Sequence, residues 1–317
     1  MLMVEQFIFN PFIFFSRLIF LFILIFSFSC FAASKRFEKD LNKVSKLNSF
    51  IDDQAKLYLE GDIGNKKDIL LIIYNHGSDD ETKLDLCTRE WNNVPPVILQ
   101  LHNQKINNLI IKIYRLCSGV RGWSQDEKDR IGDEVRTTGT FRIELADKYK
   151  VKLIDKYKQL NKQKIIINKV NEFLMQGFEN IILVGHSAGA WASLNLQSRF
   201  SKKIDGVIAF NPAFTGTKKN RGQYKMWDIL RSHEINIISK SSEINALVFT
   251  HEEDDHETPD TLSFLKNFNK LHFIDYSKIE CKGHGHRIPV WSIKVANCFA
   301  EFDKKINNIT NYLEELF

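Results

Sequence analysis

The sequence predicts an α/β fold, a mostly parallel doubly wound sheet flanked by helices. Three observations predict it. Short β-branched runs free of polar residues recur along the chain, helical patterns separate them, and one serine framed by glycines stands between such a strand and such a helix. Uninterrupted apolar runs suit strands buried on both faces, and strand–helix alternation supplies the crossovers that parallel pairing needs. With 317 residues, 44% hydrophobic and 26% charged, the chain has material for one large α/β domain, which excludes global disorder. A net charge of +5 is mild over this length and predicts no nucleic-acid partner.

Residues 1–33 read as a cleaved signal peptide. Arg17 precedes the uncharged run Leu18–Phe28, and the small residues Ser29, Cys30, Ala32 and Ala33 come after it. Cleavage after Ala32 or Ala33 leaves 34–317 as a single domain, exported to a periplasm or secreted. The alternatives are an uncleaved anchor through Phe7–Phe31, interrupted by Asn10, Pro11, Ser16 and Arg17, and lipidation at Cys30, where Ser27-Phe28-Ser29 makes a poor lipobox. Only such an anchor would bring a membrane partner. Past this segment Cys87, Cys117, Cys281 and Cys298 remain. An even count in an exported chain points to disulfides, and four cysteines allow three pairings. Closeness in sequence favours Cys87–Cys117 and Cys281–Cys298. No CxxC or Cys/His spacing argues for zinc.

Strands are expected at Ile69–Tyr74, Leu109–Tyr114, Ile181–Val184, Gly206–Phe210, Ala246–Thr250 and His272–Tyr276, with edge strands within 34–68, for example Ala55–Leu59. A helix is expected where Leu145, Tyr149, Leu153, Tyr157 and Leu160 repeat at i, i+4, its lysines forming a solvated face.

The sharpest signal is Ile181-Ile-Leu-Val-Gly185-His186-Ser187-Ala188-Gly189-Ala190-Trp191. It is G-x-S-x-G between a buried strand and an apolar helix. A nucleophilic serine must sit on a tight strand-to-helix turn, and glycines two before and two after let the backbone crowd there. The helix that starts at the serine points its free N–H groups at developing negative charge.

On these residues the chain resembles the α/β-hydrolase superfamily, over roughly residues 55–317. The resemblance implies the α/β-hydrolase fold and further site residues. Tyr74-Asn75-His76-Gly77-Ser78 is similar to the oxyanion turn of dienelactone-hydrolase-like members, so the backbone N–H groups of Ser78 and Ala188 would form the oxyanion hole, with His76 a structural residue. Ala246–Pro259 resembles the family's acid loop and gives Asp255 as the acid, Asp254 as the alternative, although Glu252 stands where a glycine is usual. Lys282-Gly283-His284-Gly285-His286-Arg287-Ile288-Pro289 is similar to the histidine loop of prolyl-oligopeptidase-like enzymes and gives His284 as the base, with His286 as the alternative. The implied triad is Ser187, Asp255 and His284, in the order of this superfamily. His102, His233, His251, His256 and His272 have no comparable context and read as structural.

The resemblance thus implies an exported serine hydrolase acting on a small carboxylic ester through an acyl-enzyme, with no cofactor and no metal. The runner-up readings are an exported serine peptidase of the same fold and a catalytically inactive binding protein. The insertion between Phe210 and Ala246, where the family often carries a lid, is basic and polar (Lys218, Lys219, Arg221, Lys225) rather than broadly apolar, which argues for modest acyl groups over a lipid interface. A second candidate lining segment is Gly119–Trp123.

Overall fold

The strands are β1 (Ser49–Ile51), β2 (Leu57–Tyr58), β3 (Ile69–Asn75), β4 (Lys105–Ile106), β5 (Leu109–Leu116), β6 (Asn180–His186), β7 (Gly206–Phe210), β8 (Ala246–Thr250) and β9 (Leu271–Asp275). The computed structural model describes residues 49–51, 57–58, 64–77, 92–119, 157–214, 216–223, 225–290 and 292–317. Among these, the strands form one sheet in the order β2-β1-β5-β3-β6-β7-β8-β9, with β4 joined to β5 outside that path. From β5 to β9 every neighbour is parallel, whereas β1, β2 and β4 pair antiparallel at one edge. The sheet is thus mostly parallel, as the apolar runs require, and each predicted strand is present to within a residue or two at either end.

The order has a functional consequence. From β3 the chain passes to β5 on one side, then returns to lay β6 on the other side of β3. Such a switch point opens a crevice at the carboxyl ends of the two strands, where ligands bind in open α/β sheets. Asn75-His76-Gly77 leaves β3 there, and Ser187 leaves β6 beside it.

Helices α1 (Pro96–Leu99), α2 (Lys158–Met175), α3 (Ala188–Phe200), α4 (Lys218–Gln223), α5 (Lys225–Ser239), α6 (Ile293–Ile306) and α7 (Asn308–Leu316) complete the described elements. Alternate strand residues Leu70, Ile72, Tyr74, Ile182 and Val184 join Ile98, Phe299, Ile309 and Leu313 in one core, so α1, α6 and α7 cover that face. The intervening residues Leu71, Ile73, Ile181 and Leu183 are equally buried, and α3 packs on β6 and β7 with α2 and α5 behind it. The helix expected over 145–160 lies mostly outside the described residues; α2 begins just where that stripe ends. No helix among the described residues is long and apolar enough to cross a membrane.

Cys281 is bonded to Cys298, with 5.8 Å between Cα atoms, which ties the segment after β9 to α6. Cys117 is also disulfide-bonded. Cys87, its expected partner, lies outside the described residues, as do residues 1–33.

Candidate active site

Ser187 occupies the turn between β6 and α3 at φ 54°, ψ −121°. A non-glycine residue there is strained by its own Cβ, and such strain persists only where the surroundings fix it. Four backbone hydrogen bonds do so within a few residues. Ser187 N donates to Phe210 O at 3.0 Å, Ser187 O accepts from Trp191 N at 3.0 Å and Ala213 N at 3.1 Å, and Asn211 N donates to Phe249 O at 2.9 Å. The two motif glycines are required by space. A Cβ on Gly185 would stand 2.5 Å from Ala190 N, and one on Gly189 would stand 2.1 Å from Asn75 O and 2.5 Å from His76 O. Gly189→Ala is therefore expected to push the 75–77 turn away from Ser187, costing about 3 kcal/mol of stability. Thermal unfolding with parallel active-serine labelling checks this, and a variant of wild-type Tm and labelling would refute it.

Two further residues complete a hydrogen-bonded line. His286 Nε2 lies 3.0 Å from Ser187 Oγ, and His286 Nδ1 lies 2.7 Å from Asp254 Oδ2. Because a carboxylate only accepts, Nδ1 carries the ring proton and Nε2 is left as acceptor for the serine hydroxyl. The line runs through His286 and Asp254, not through the expected His284 and Asp255. His284 is 52% exposed, its Nε2 is 3.8 Å from Asp255 Oδ2, and it precedes the tight turn Gly285–Arg287 that carries His286 inward. That turn separates two histidines which an extended segment would place on one face. Asp255 is 44% exposed, whereas the Asp254 side chain is fully buried. Asp254 is turned inward by its own loop: Oδ1 accepts from His256 N at 2.7 Å and Glu257 N at 3.2 Å, leaving Oδ2 for His286.

The charges follow from burial. Desolvation raises the Asp254 carboxyl to about 6, against the pull of the His256 amide and ring and of the Glu257 amide. His286 is held well below the ordinary histidine value, by burial first and by His256 next. His186, the residue before Ser187, is lowered to about 3 by burial and then by His286. It remains neutral at working pH and donates from Nε2 to His286 O at 2.8 Å. Asn211 Nδ2 donates to the same carbonyl and to Gly285 O, each at 2.9 Å, and Tyr276 OH donates to Gly285 O at 3.0 Å. His186, Asn211 and Tyr276 thus hold the histidine turn by its backbone. The sequence reading missed all three, because no local pattern marks a side chain that binds a distant carbonyl.

On the oxyanion side, Ala188 N–H is the first of α3 and has no acceptor one turn back within the helix. Ser78 lies outside the described residues. Gly77 is described and packs against Ser187, since a Cβ there would meet Ser187 Cβ at 3.4 Å. Behind it, the buried Lys162 donates to Ser118 Oγ at 2.7 Å and Gly77 O at 3.3 Å. His76 is buried, well below the ordinary value through desolvation and then Lys162, and its Nε2 accepts from Ser118 N at 3.2 Å.

Asp254, His256 and His286 also bring three potential ligand atoms within 4.8 Å of one another. They do not suit a metal. The His256 and His286 rings are stacked, 4.0 Å between centroids and 19° between planes, so their in-plane lone pairs run side by side instead of converging. Both Nδ1 atoms already face carboxylates.

A mostly parallel sheet of this order, with a strained serine after the strand at its switch point and an acid and a histidine on later loops, is an α/β-hydrolase fold. No protein-family model and no curated protein sequence matches the chain. Solved structures of similar architecture include Est1E from Butyrivibrio proteoclasticus, 10% identical, covering 83% of this chain and 98% of that one at a TM-score of 0.47. A monoacylglycerol lipase of Paleococcus ferrophilus is 12% identical, covering 78% and 95% at 0.44. A Bacteroides ovatus protein described as a dipeptidyl aminopeptidase IV is 14% identical, covering 85% of this chain but 35% of its own at 0.45.

Proposed function

We propose that the chain is an exported serine hydrolase of carboxylic esters, with Ser187 as nucleophile, His286 as base and Asp254 as acid. The line Ser187 Oγ to His286 Nε2 at 3.0 Å and His286 Nδ1 to Asp254 Oδ2 at 2.7 Å, assembled at a sheet switch point, carries this reading. His286 takes the hydroxyl proton as Oγ attacks the ester carbonyl carbon. Asp254 keeps the productive tautomer and stabilises the imidazolium. The oxyanion faces Ala188 N–H at the start of α3, with Ser78 N–H as the second donor implied by the family turn. The tetrahedral adduct expels the alcohol, protonated by His286, and leaves an acyl-serine. Water, activated by the same histidine, releases the acid. Removal of residues 1–33 and export agree with the N-terminal pattern and with the disulfides at Cys117 and Cys281–Cys298, which persist in oxidising compartments.

Labelling by a fluorophosphonate tests the reading. The wild type is expected to gain one phosphonyl group by intact mass, and Ser187→Ala none while keeping its fold. Equal labelling of both, or of neither, would overturn the assignment. p-Nitrophenyl esters assayed beside peptide anilides then separate esterase from peptidase.

A further inference from the structure

We propose that His256 is a positioning residue whose charge gates the base: neutral, it lies flat against His286; protonated, it opposes proton uptake by His286. The proposal rests on the reading of His286 as base. The His256 ring lies 4.0 Å from that of His286 at 19°, and its orientation is imposed. Nδ1 meets Asp255 Oδ1 at 2.6 Å, the His256 amide meets Asp254 Oδ1 at 2.7 Å, and its carbonyl accepts from Arg221 Nη2 at 2.6 Å. The His186 ring lies 5.0 Å from that of the base, tilted by 49°. The base therefore has two imidazole neighbours, and the two differ in solvent access. His186 is buried, while His256 keeps 22% of its side chain exposed and faces a carboxylate, so it alone can take a proton from solvent.

The groups around His256 fix the sign. Asp254 and Asp255 face it from its own loop, His286 from the histidine loop and Arg221 from α4, while His284 faces Asp255 and His186 faces His286. The Arg221 guanidinium is answered by Glu257 at 3.2 Å, and Asp254 is committed to His286. The free variable is thus the proton on His256, with Asp255 opposite it. Once that proton is on, transfer of the serine proton to His286 places a second cation against the first. At this separation, after screening by Asp255 and solvent, the step slows on the order of tenfold.

The experiment measures the second-order rate of fluorophosphonate phosphonylation of the full chain between pH 4.5 and 9. As pH falls, the wild-type rate is expected to drop through a partial step of about tenfold besides the limb of slope one on which the base is lost. In His256→Phe, which keeps a flat ring and removes the charge, the partial step is gone. In Asp255→Asn the partial step moves to lower pH, because a protonated His256 has lost its anion. His284→Gln keeps the partial step. A wild-type profile without the step, or a step that survives in His256→Phe and so belongs to Asp254 and His286, overturns the proposal. Should His256→Phe not fold, the shift or lack of shift in Asp255→Asn decides. Absence of any labelling in the wild type is a separate result, which removes the hydrolase reading and this proposal with it.

Discussion

His286→Ala is expected to lose on the order of a thousand-fold or more in kcat on a p-nitrophenyl ester, while His284→Ala stays within about tenfold. The asymmetry comes from placement. His286 bridges Ser187 Oγ and a buried carboxylate through its two ring nitrogens, so in the proposed mechanism its removal takes away proton acceptor and oriented imidazolium together. His284 is half exposed, and its ion-pair contact is with Asp255 at 3.8 Å. Losing it relaxes one end of a turn that Asn211, Tyr276 and His186 still hold. Steady-state kinetics of the two variants at neutral pH checks the order. The reverse order would return the base to His284 and leave the Ser187–His286 hydrogen bond without a role.

The second large effect is on stability. Glu257→Ala is expected to cost about 3 kcal/mol or more, read as a fall in Tm of several degrees. Glu257 is fully buried and accepts from Arg231 through both oxygens at 2.8 Å, with Arg221 at 3.2 Å. The pairing contributes little beyond a well-packed apolar replacement, because both charges had to be desolvated. Removing the carboxylate takes the main anion from the buried Arg221, which keeps only Asp228 at 3.9 Å, and from the part-buried Arg231, and that state is costly. The same substitution releases the loop next to Asp254, so ester turnover is expected to fall more than Ser187 accessibility. A wild-type Tm in this variant would contradict the energetic reading of the cluster.

These results bear on what the chain announces in its letters. The sheet is legible because each central strand is buried on both faces, so Ile69–Tyr74 or Gly206–Phe210 has no polar residue to hide its period. Ser187 is legible for a related reason: crowding at its turn demands glycine at 185 and 189, and few other turns make that demand. The acid and base are legible only as loops. Whether Asp254 or its neighbour turns inward depends on which one accepts the amides of 256 and 257, a choice of loop geometry that does not alter composition. Whether His284 or His286 faces the serine depends on where the Gly285–Arg287 turn begins and on Asn211, some 75 residues upstream, which catches its carbonyls. His256 carries no local signal, since its ring partner lies on another loop. The Cys281–Cys298 pairing could be read because the two residues are near in sequence.

Among the described residues, the insertion after β7 is fastened to the 254–261 loop at Lys218, Arg221 and Arg231. Lys218 N meets Asp255 O at 2.9 Å and Lys218 Nζ meets Thr258 Oγ1 at 3.2 Å. Arg221 meets the His256 carbonyl at 2.6 Å, and Arg231 that of Thr261 at 2.8 Å. A door opens cheaply only when its contacts are few and wet. Swinging α4 outward would haul the strip 254–258 with it and draw Asp254 away from His286. This segment is a buttress.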